Sequence, residues 1–102
     1  MTITWTFLAR ERLREVVSFI AKDNPEAAKR WSEDLFERVE RLGAFPEMGR
    51  IVPELQKEAI REIFHGRYRV IYKLRRKGVL ILTIRHGRRL LDQAEVRGGQ
   101  ST

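Results

Sequence analysis

The side chains best suited to chemistry in this sequence are basic, and they lie in its C-terminal half. Residues 58–102 contain 11 Lys and Arg against 4 Asp and Glu, whereas residues 1–57 contain 10 of each kind, so the net charge of +7 comes from the second half. Guanidinium groups bind phosphate and carboxylate oxygens. The segment from Arg61 to Arg89 therefore predicts a surface for an anionic partner, and charge alone does not choose between nucleic acid and an acidic protein segment.

Two histidines accompany these arginines. An imidazole titrates near neutral pH and can serve as a general acid or base. The place of His86 on an apolar strand face favours a hydrogen-bonded structural role over catalysis. His65 stands at a strand end before Gly66 and is predicted to face a turn and solvent.

Other chemistries lack the residues that they need. The chain has no cysteine, which excludes disulfides and thiolate zinc sites, and two isolated histidines do not make a metal cluster. Glu58, Glu62 and Glu95 form no evident carboxylate pair, and there is no phosphate-cradling glycine loop or nucleophile elbow. We therefore expect no metal site and no cofactor.

The size and composition of the chain indicate one globular domain. A length of 102 residues closes a single core, and 42% hydrophobic with 34% charged residues is typical of a folded protein. We assign residues 1–96 to this domain and residues 97–102 to a flexible C-terminal tail. Because the sequence shows neither a signal peptide nor a membrane-spanning apolar run, the expected location is cytoplasmic.

Hydrophobic periodicity indicates which elements position the basic side chains. Residues 2–6 alternate as a strand does, and residues 7–22 have helical spacing. Asn24 and Pro25 are a helix cap and a first helical residue, so a second helix begins there and stops near Gly43. Residues 43–57, with two Gly and two Pro, predict a loop. Three strands follow at about 59–65, 67–74 and 79–86.

The fold class expected from this order is α+β. An N-terminal strand precedes a two-helix antiparallel hairpin, and a three-stranded antiparallel meander then packs against the helices, which makes a four-stranded, largely antiparallel sheet. The tryptophans and tyrosines fall on core faces, so packing is favoured over stacking on bases; these residues are Trp5, Trp31, Tyr68 and Tyr72.

The register of the last two strands can be predicted from their apolar faces. One face joins Tyr68, Val70, Tyr72 and Leu74 to Leu80, Leu82, Ile84 and His86. This alignment requires a three-residue loop, Arg76, Lys77 and Gly78, with Gly78 in the left-handed conformation. The opposite face then carries Arg67, Arg69, Ile71, Lys73 and Arg75 beside Val79, Ile81, Thr83 and Arg85. It sets Arg69 directly across from Arg85, and such like charges predict a bound anion.

Four stretches together resemble a known family. They are DNPEAA at residues 23–28, FPEMGR at 45–50, GRYRVIY at 66–72 and IRHGRR at 84–89. Over about residues 3–92 the chain resembles the RelE/ParE toxins, which share the order of strand, helical hairpin and antiparallel sheet. The first two stretches resemble the ParE branch most closely.

The resemblance implies a growth-inhibiting toxin of a type II toxin–antitoxin, or plasmid stabilisation, system. A cognate antitoxin, ParD-like or RelB-like, would neutralise it in a hetero-oligomer. ParE relatives imply inhibition of DNA gyrase by binding, without enzymatic turnover. RelE relatives imply the alternative, a ribosome-dependent mRNA endonuclease. Because residues 87–102 contain no aromatic where RelE toxins have a tyrosine, we favour gyrase. A DNA-binding accessory module would need a groove-entering element, and none is evident.

The resemblance also assigns candidate residues. A nuclease would use Arg69, Arg85, His86 and Arg89 as its catalytic residues. The candidates for binding the target or an anion are Arg61, Arg67, Arg69, Arg85, Arg88 and Arg89. Because two amphipathic helices leave apolar area exposed, the candidates for antitoxin binding are Leu13, Val17, Trp31 and Leu35. Arg75, Arg76 and Lys77 are assigned to a solvated turn.

Overall fold

Two helices lie on one face of a five-stranded sheet in the computed structural model, which describes residues 2–87 and 95–96. In chain order the elements are β1 (Thr2–Trp5), α1 (Phe7–Asp23), α2 (Pro25–Ala44), a 3₁₀ turn (Pro46–Met48), β2 (Arg50–Ile51), β3 (Ile60–His65), β4 (Tyr68–Arg75) and β5 (Gly78–His86). The predicted tail at 97–102 lies outside the described residues. No helix of the described part is long and apolar enough to cross a membrane.

The helical hairpin begins and turns at side-chain caps. Thr6 Oγ1 accepts a hydrogen bond from the Ala9 amide at 3.0 Å and donates one to the Leu82 carbonyl at 2.9 Å, which ties the start of α1 to β5. Asn24 Oδ1 accepts from the Ala27 amide at 3.1 Å, and Pro25 opens α2. The cap predicted from Asn24 and Pro25 is therefore confirmed.

The sheet differs from the prediction in strand count and order. Its order is β1-β5-β4-β3-β2, and the antiparallel meander of β3, β4 and β5 is confirmed. β1 pairs in parallel with β5, so the sheet is mixed. The segment predicted as a loop contains the 3₁₀ turn and β2, which has only two residues. Elements this short carry no hydrophobic period, which is why the sequence did not reveal them.

The pairing of β4 with β5 confirms one part of the predicted register and corrects another. Arg69 lies opposite Arg85, as predicted. However, Arg75 pairs with Gly78, so the loop consists of Arg76 and Lys77 alone. Gly78 has no positive φ, and a Cβ there would lie 2.1 Å from the Thr2 carbonyl oxygen, so this glycine allows the close approach of β1.

A β-bulge reconciles the shorter loop with the arginine pair. Ile71 pairs with Thr83 whereas Tyr72 pairs with Ile81, which leaves Leu82 as the extra residue. Beyond the bulge, the side chains of β5 lie on the faces opposite to those predicted. The predicted faces of Leu80 and Leu82, and those of Val79 and Ile81, are therefore wrong. Val79 and Ile81 pack under the helices, and Leu80 and Leu82 pack on the opposite face.

Both faces of the sheet therefore carry a core. The helix-side cluster contains Leu35, Val39 and Leu42 of α2 packed on Val70, Tyr72 and Ile84. The outer cluster contains Val52, Ile60, Ile71, Leu80, Leu82 and Val96. The β2–β3 connection and residue 96 thus cover a face that the helices do not reach. The segments that cover this outer face determine whether its arginines are buried or exposed.

Candidate functional site

Arg69 is buried on the outer face of β4, between two glutamates. It is 4% exposed, and its Nε donates to Glu62 at 2.6 Å. Its two terminal nitrogens donate to the two carboxylate oxygens of Glu54 at 2.7 and 2.8 Å. The guanidinium of Arg69 is therefore paired with two carboxylates of the protein itself.

The two glutamates reach Arg69 from different elements. Glu62 is 1% exposed and lies on β3, one strand away from Arg69. Glu54 lies in the β2–β3 connection, whose Val52 is anchored in the outer cluster. Arg50 of β2 donates to the second oxygen of Glu62 at 2.6 Å. We call Arg50, Glu54, Glu62 and Arg69 the ion cluster; its two positive and two negative charges alternate.

The ion cluster keeps Arg69 charged. Hydrogen bonding to Glu54 raises the pKa of the Arg69 guanidinium, burial opposes this by lowering the pKa, and the bond to Glu62 raises it again. The net pKa lies above the ordinary value. Carboxylates that sit on both ends of a guanidinium also fix its direction.

Arg85 has a carboxylate of its own. It donates to Glu95, which also accepts from the Thr83 hydroxyl at 2.7 Å and lies 3.6 Å from Arg12 of α1. Because Arg69 and Arg85 bind separate carboxylates, their side-by-side placement is relieved without an external anion. Neither role of Glu95 or Glu54 was foreseen, because each lies far from its arginine in sequence.

The other predicted basic residues are dispersed. Arg61 donates to the backbone carbonyls of Glu58 at 3.1 Å and Gly49 at 3.1 Å. Arg67 is exposed between β3 and β4. Arg88 and Arg89 lie outside the described residues. The four of these six residues that the structure describes, Arg61, Arg67, Arg69 and Arg85, therefore do not form one cationic surface.

The two histidines have aromatic neighbours. His65 is buried, which corrects the prediction that it faces solvent: its Nε2 donates to the Trp31 carbonyl at 2.9 Å, and its ring lies 5.1 Å from that of Trp31. His86 is half-buried, with its ring edge-to-face on Tyr68 at 5.7 Å. It shares a pocket with Phe64, Gly66, Arg67 and Gly87.

The residues predicted to bind an antitoxin differ in exposure. Leu35 is 0% exposed and belongs to the helix-side cluster. Trp31 and Leu13 pack against that cluster and are partly buried, and Val17 is also partly buried. Leu13 lines a groove between β1 and the helices together with Ile3, Thr4, Trp5, Arg10, Arg14 and Phe36.

A further exposed surface was not predicted at all. The connection from α2 to β2 carries Phe45 and Met48, which are 66% and 47% exposed. They line a shallow depression with Ala44, Pro46 and Glu47. The sequence signal was available, since two large apolar residues stand in a segment rich in Gly and Pro, but the type of segment favoured a plain linker.

Buried Tyr72 supports this connection from below. Its hydroxyl donates to the Pro46 carbonyl at 2.7 Å and accepts from the Gly49 amide at 2.9 Å. Burial raises the pKa of Tyr72, and the Gly49 hydrogen bond and Arg61 partly oppose the rise. A Cβ at Gly49 would lie 2.5 Å from the Tyr72 hydroxyl oxygen, so only glycine allows this approach.

Metal ligation has no support in the described residues. Within residues 2–87 and 95–96, no three His, Cys, Asp or Glu side chains are grouped so that they could hold a metal ion. Glu54 and Glu62 both accept hydrogen bonds from the Arg69 guanidinium.

Residues 3–91 match the family model of the ParE toxin of the type II toxin–antitoxin system parDE. The match spans the helical hairpin, strands β2 to β5 and all of β1 except Thr2. No curated protein matches the chain.

Proposed function

The chain belongs to the ParE family of toxins of type II toxin–antitoxin systems, and we propose that it arrests growth by binding and inhibiting DNA gyrase rather than by cutting RNA. Membership of this family implies an antitoxin partner. The choice of target rests on the state of the arginines on the outer face of the sheet.

The observation that supports binding over cleavage is the internal pairing of Arg69 and Arg85. A ribonuclease of this fold must bind the scissile phosphate, deprotonate a 2′-hydroxyl and protonate the leaving oxygen. Arg69 would have to exchange the carboxylates of Glu54 and Glu62 for that phosphate. The exchange would take one of two guanidiniums from the buried charge of Glu62, with Arg50 remaining on its other oxygen, which is unfavourable.

One observation favours the alternative, a ribosome-dependent mRNA endonuclease. The pocket that contains Phe64, Arg67 and His86 brings an exposed aromatic ring, a guanidinium and an imidazole together. These groups could stack on a base, bind a phosphate and transfer a proton. A nuclease of this design would depend on His86, whereas a gyrase-binding toxin would not.

We place the antitoxin in the groove between β1 and the helices. Its walls combine the apolar Trp5, Leu13 and Phe36 with the basic Arg10 and Arg14. This lining suits an amphipathic segment that carries acidic residues. Leu13→Glu should weaken antitoxin binding in a variant whose melting temperature shows that it is folded; unchanged affinity would contradict this placement.

Two measurements on the whole chain test the target. The purified protein should inhibit supercoiling by gyrase, and its induction should leave mRNA ends unchanged. His86→Gln is the matched variant, because it removes the imidazole while keeping a polar side chain, and it should retain growth inhibition. Prompt translation arrest with codon-phased cuts, abolished by His86→Gln, would establish the nuclease instead.

A further inference from the structure

The connection at residues 45–50, which we call the Phe45 loop, has exposed apolar side chains on a firmly held backbone. We infer that this loop is the surface through which the toxin binds its target protein, with an apolar side chain of the target seated between Phe45 and Met48. The inference rests on the proposed function in one respect, namely that the target is a protein.

The Phe45 loop exposes two large apolar side chains next to each other. Single exposed apolar side chains are common on protein surfaces. Here Phe45 and Met48 line the same depression, with Pro46 between them. An aromatic ring and a methionine side by side are typical of the central contacts of protein interfaces.

The backbone of the loop is held from the core. Tyr72, which is 0% exposed, binds both Pro46 and Gly49. Arg61 adds a hydrogen bond from its guanidinium to the Gly49 carbonyl at 3.1 Å. A loop that is already ordered loses less conformational entropy on binding, so its apolar contacts yield more affinity. A mere linker needs no such support.

The charge of the loop indicates the chemical class of its partner. Among the residues that line the depression, the charge is the carboxylate of Glu47. Arg50, at the end of the loop, already donates to buried Glu62. Because Arg50 and Arg61 donate to acceptors within the protein, the depression offers a carboxylate and no guanidinium from the described part of the chain, which disfavours the phosphates of nucleic acid and of anionic lipid. It suits a protein whose apolar side chain is flanked by a cation.

The experiment compares substitutions in the Phe45 loop with one at a phenylalanine of nearly equal exposure elsewhere on the surface. Phe45→Ser and Met48→Ser are tested against Phe19→Ser, because Phe19 on α1 is 65% exposed and Phe45 is 66% exposed. Each full-length variant is measured for growth inhibition, for inhibition of purified gyrase, for affinity to the antitoxin and for melting temperature. Substitutions at exposed positions change stability little, so folding should survive in all of them.

The expected result is a loss of toxicity that is specific to the loop. Phe45→Ser and Met48→Ser should each reduce growth inhibition by about tenfold or more, as expected for a central interface contact. Antitoxin affinity and melting temperature should remain near those of the wild type, and Phe19→Ser should keep its toxicity. Full toxicity of Phe45→Ser would overturn the inference, as would a loss confined to antitoxin binding.

The two proposals can fail separately. If the wild type inhibits gyrase and Phe45→Ser inhibits it equally well, the target remains and the loop is not its contact. If the wild type leaves gyrase unaffected while Phe45→Ser loses growth inhibition in a folded protein, the loop inference holds and gyrase is not the target. The second result would direct a search for another protein target.

Discussion

The ion cluster and the Phe45 loop reverse the usual distribution of side chains. Charged Glu62 and Arg69 are 1% and 4% exposed, whereas apolar Phe45 is 66% exposed. The two regions are also neighbours, since Arg50 ends the loop and belongs to the ion cluster. The charged residues of the ion cluster, whose types suggest reactive chemistry, thus stabilise the fold. The apolar residues of the Phe45 loop, whose types suggest a core, are exposed and available to a partner.

This reversal has one physical origin, the cover on the outer face of the sheet. The β2–β3 connection packs Val52 into the outer cluster and brings Glu54 onto Arg69. A buried guanidinium is stable only when a carboxylate compensates its charge, and Glu54 of the β2–β3 connection does so for Arg69. The same chain path projects the Phe45 loop outward before it reaches β2. A substitution in either region should therefore reveal which role, structural or functional, each region has.

The largest effect is expected when the ion cluster is broken at its centre. Arg69→Ala takes one of the two guanidiniums from buried Glu62, so the free energy of unfolding should fall by about 3 kcal/mol. Denaturant unfolding at neutral pH measures this change. If Arg69 instead served mainly as an exposed contact for the target, the variant would keep its stability and lose only toxicity.

A matched control separates charge from packing in that prediction. The double variant Arg69→Met with Glu62→Leu removes both charges and keeps apolar volume, so much of the lost stability should return. Because Glu62 and Arg69 are hydrogen-bonded to each other, their effects should be strongly non-additive. Additive losses would show that the two side chains are not coupled.

A smaller effect is expected where the two regions meet, at Gly49. Gly49→Ala would place its Cβ 2.5 Å from the Tyr72 hydroxyl and 2.6 Å from the Glu62 carbonyl oxygen. Relief of this overlap should cost about 1–3 kcal/mol of stability and displace the loop. We expect growth inhibition to fall with antitoxin binding retained. Wild-type toxicity in Gly49→Ala would show that loop position does not matter.

The smallest effect concerns the Tyr72 hydroxyl and depends on pH. Tyr72→Phe leaves the Pro46 carbonyl and the Gly49 amide without that partner, which should cost about 1–2 kcal/mol at neutral pH. Burial raises the pKa of Tyr72 above its ordinary value of 10.0, so folding favours the protonated phenol. Its contribution is complete below about pH 10 and declines as the pH rises further.

The difference in unfolding free energy between the wild type and Tyr72→Phe therefore shows whether the pKa of Tyr72 is raised or lowered by folding. The stability advantage of the wild type should narrow above about pH 10, because only the wild type must keep this phenol neutral on folding. Parallel unfolding curves for both proteins from neutral to alkaline pH measure the gap, and the other titrating groups cancel between them. A gap that widens with pH would contradict the assigned direction.

Much of the fold could be predicted because its signals are local. Asn24 and Pro25 lie next to each other and mark the helical turn, and the helices follow from side chains one turn apart. The opposition of Arg69 and Arg85 also followed from strand alternation. The parallel pairing of β1 with β5 did not, because it joins residues more than seventy positions apart.

By itself, the sequence determined the toxin family, the helical hairpin, the meander and the basic character of the C-terminal half. Tertiary structure alone decided what those basic residues do. A strand pattern shows that two arginines share a face, but it cannot show that Glu54 and Glu95 reach them from distant segments. Charge is a property of residues, whereas its compensation and its burial are properties of the folded chain.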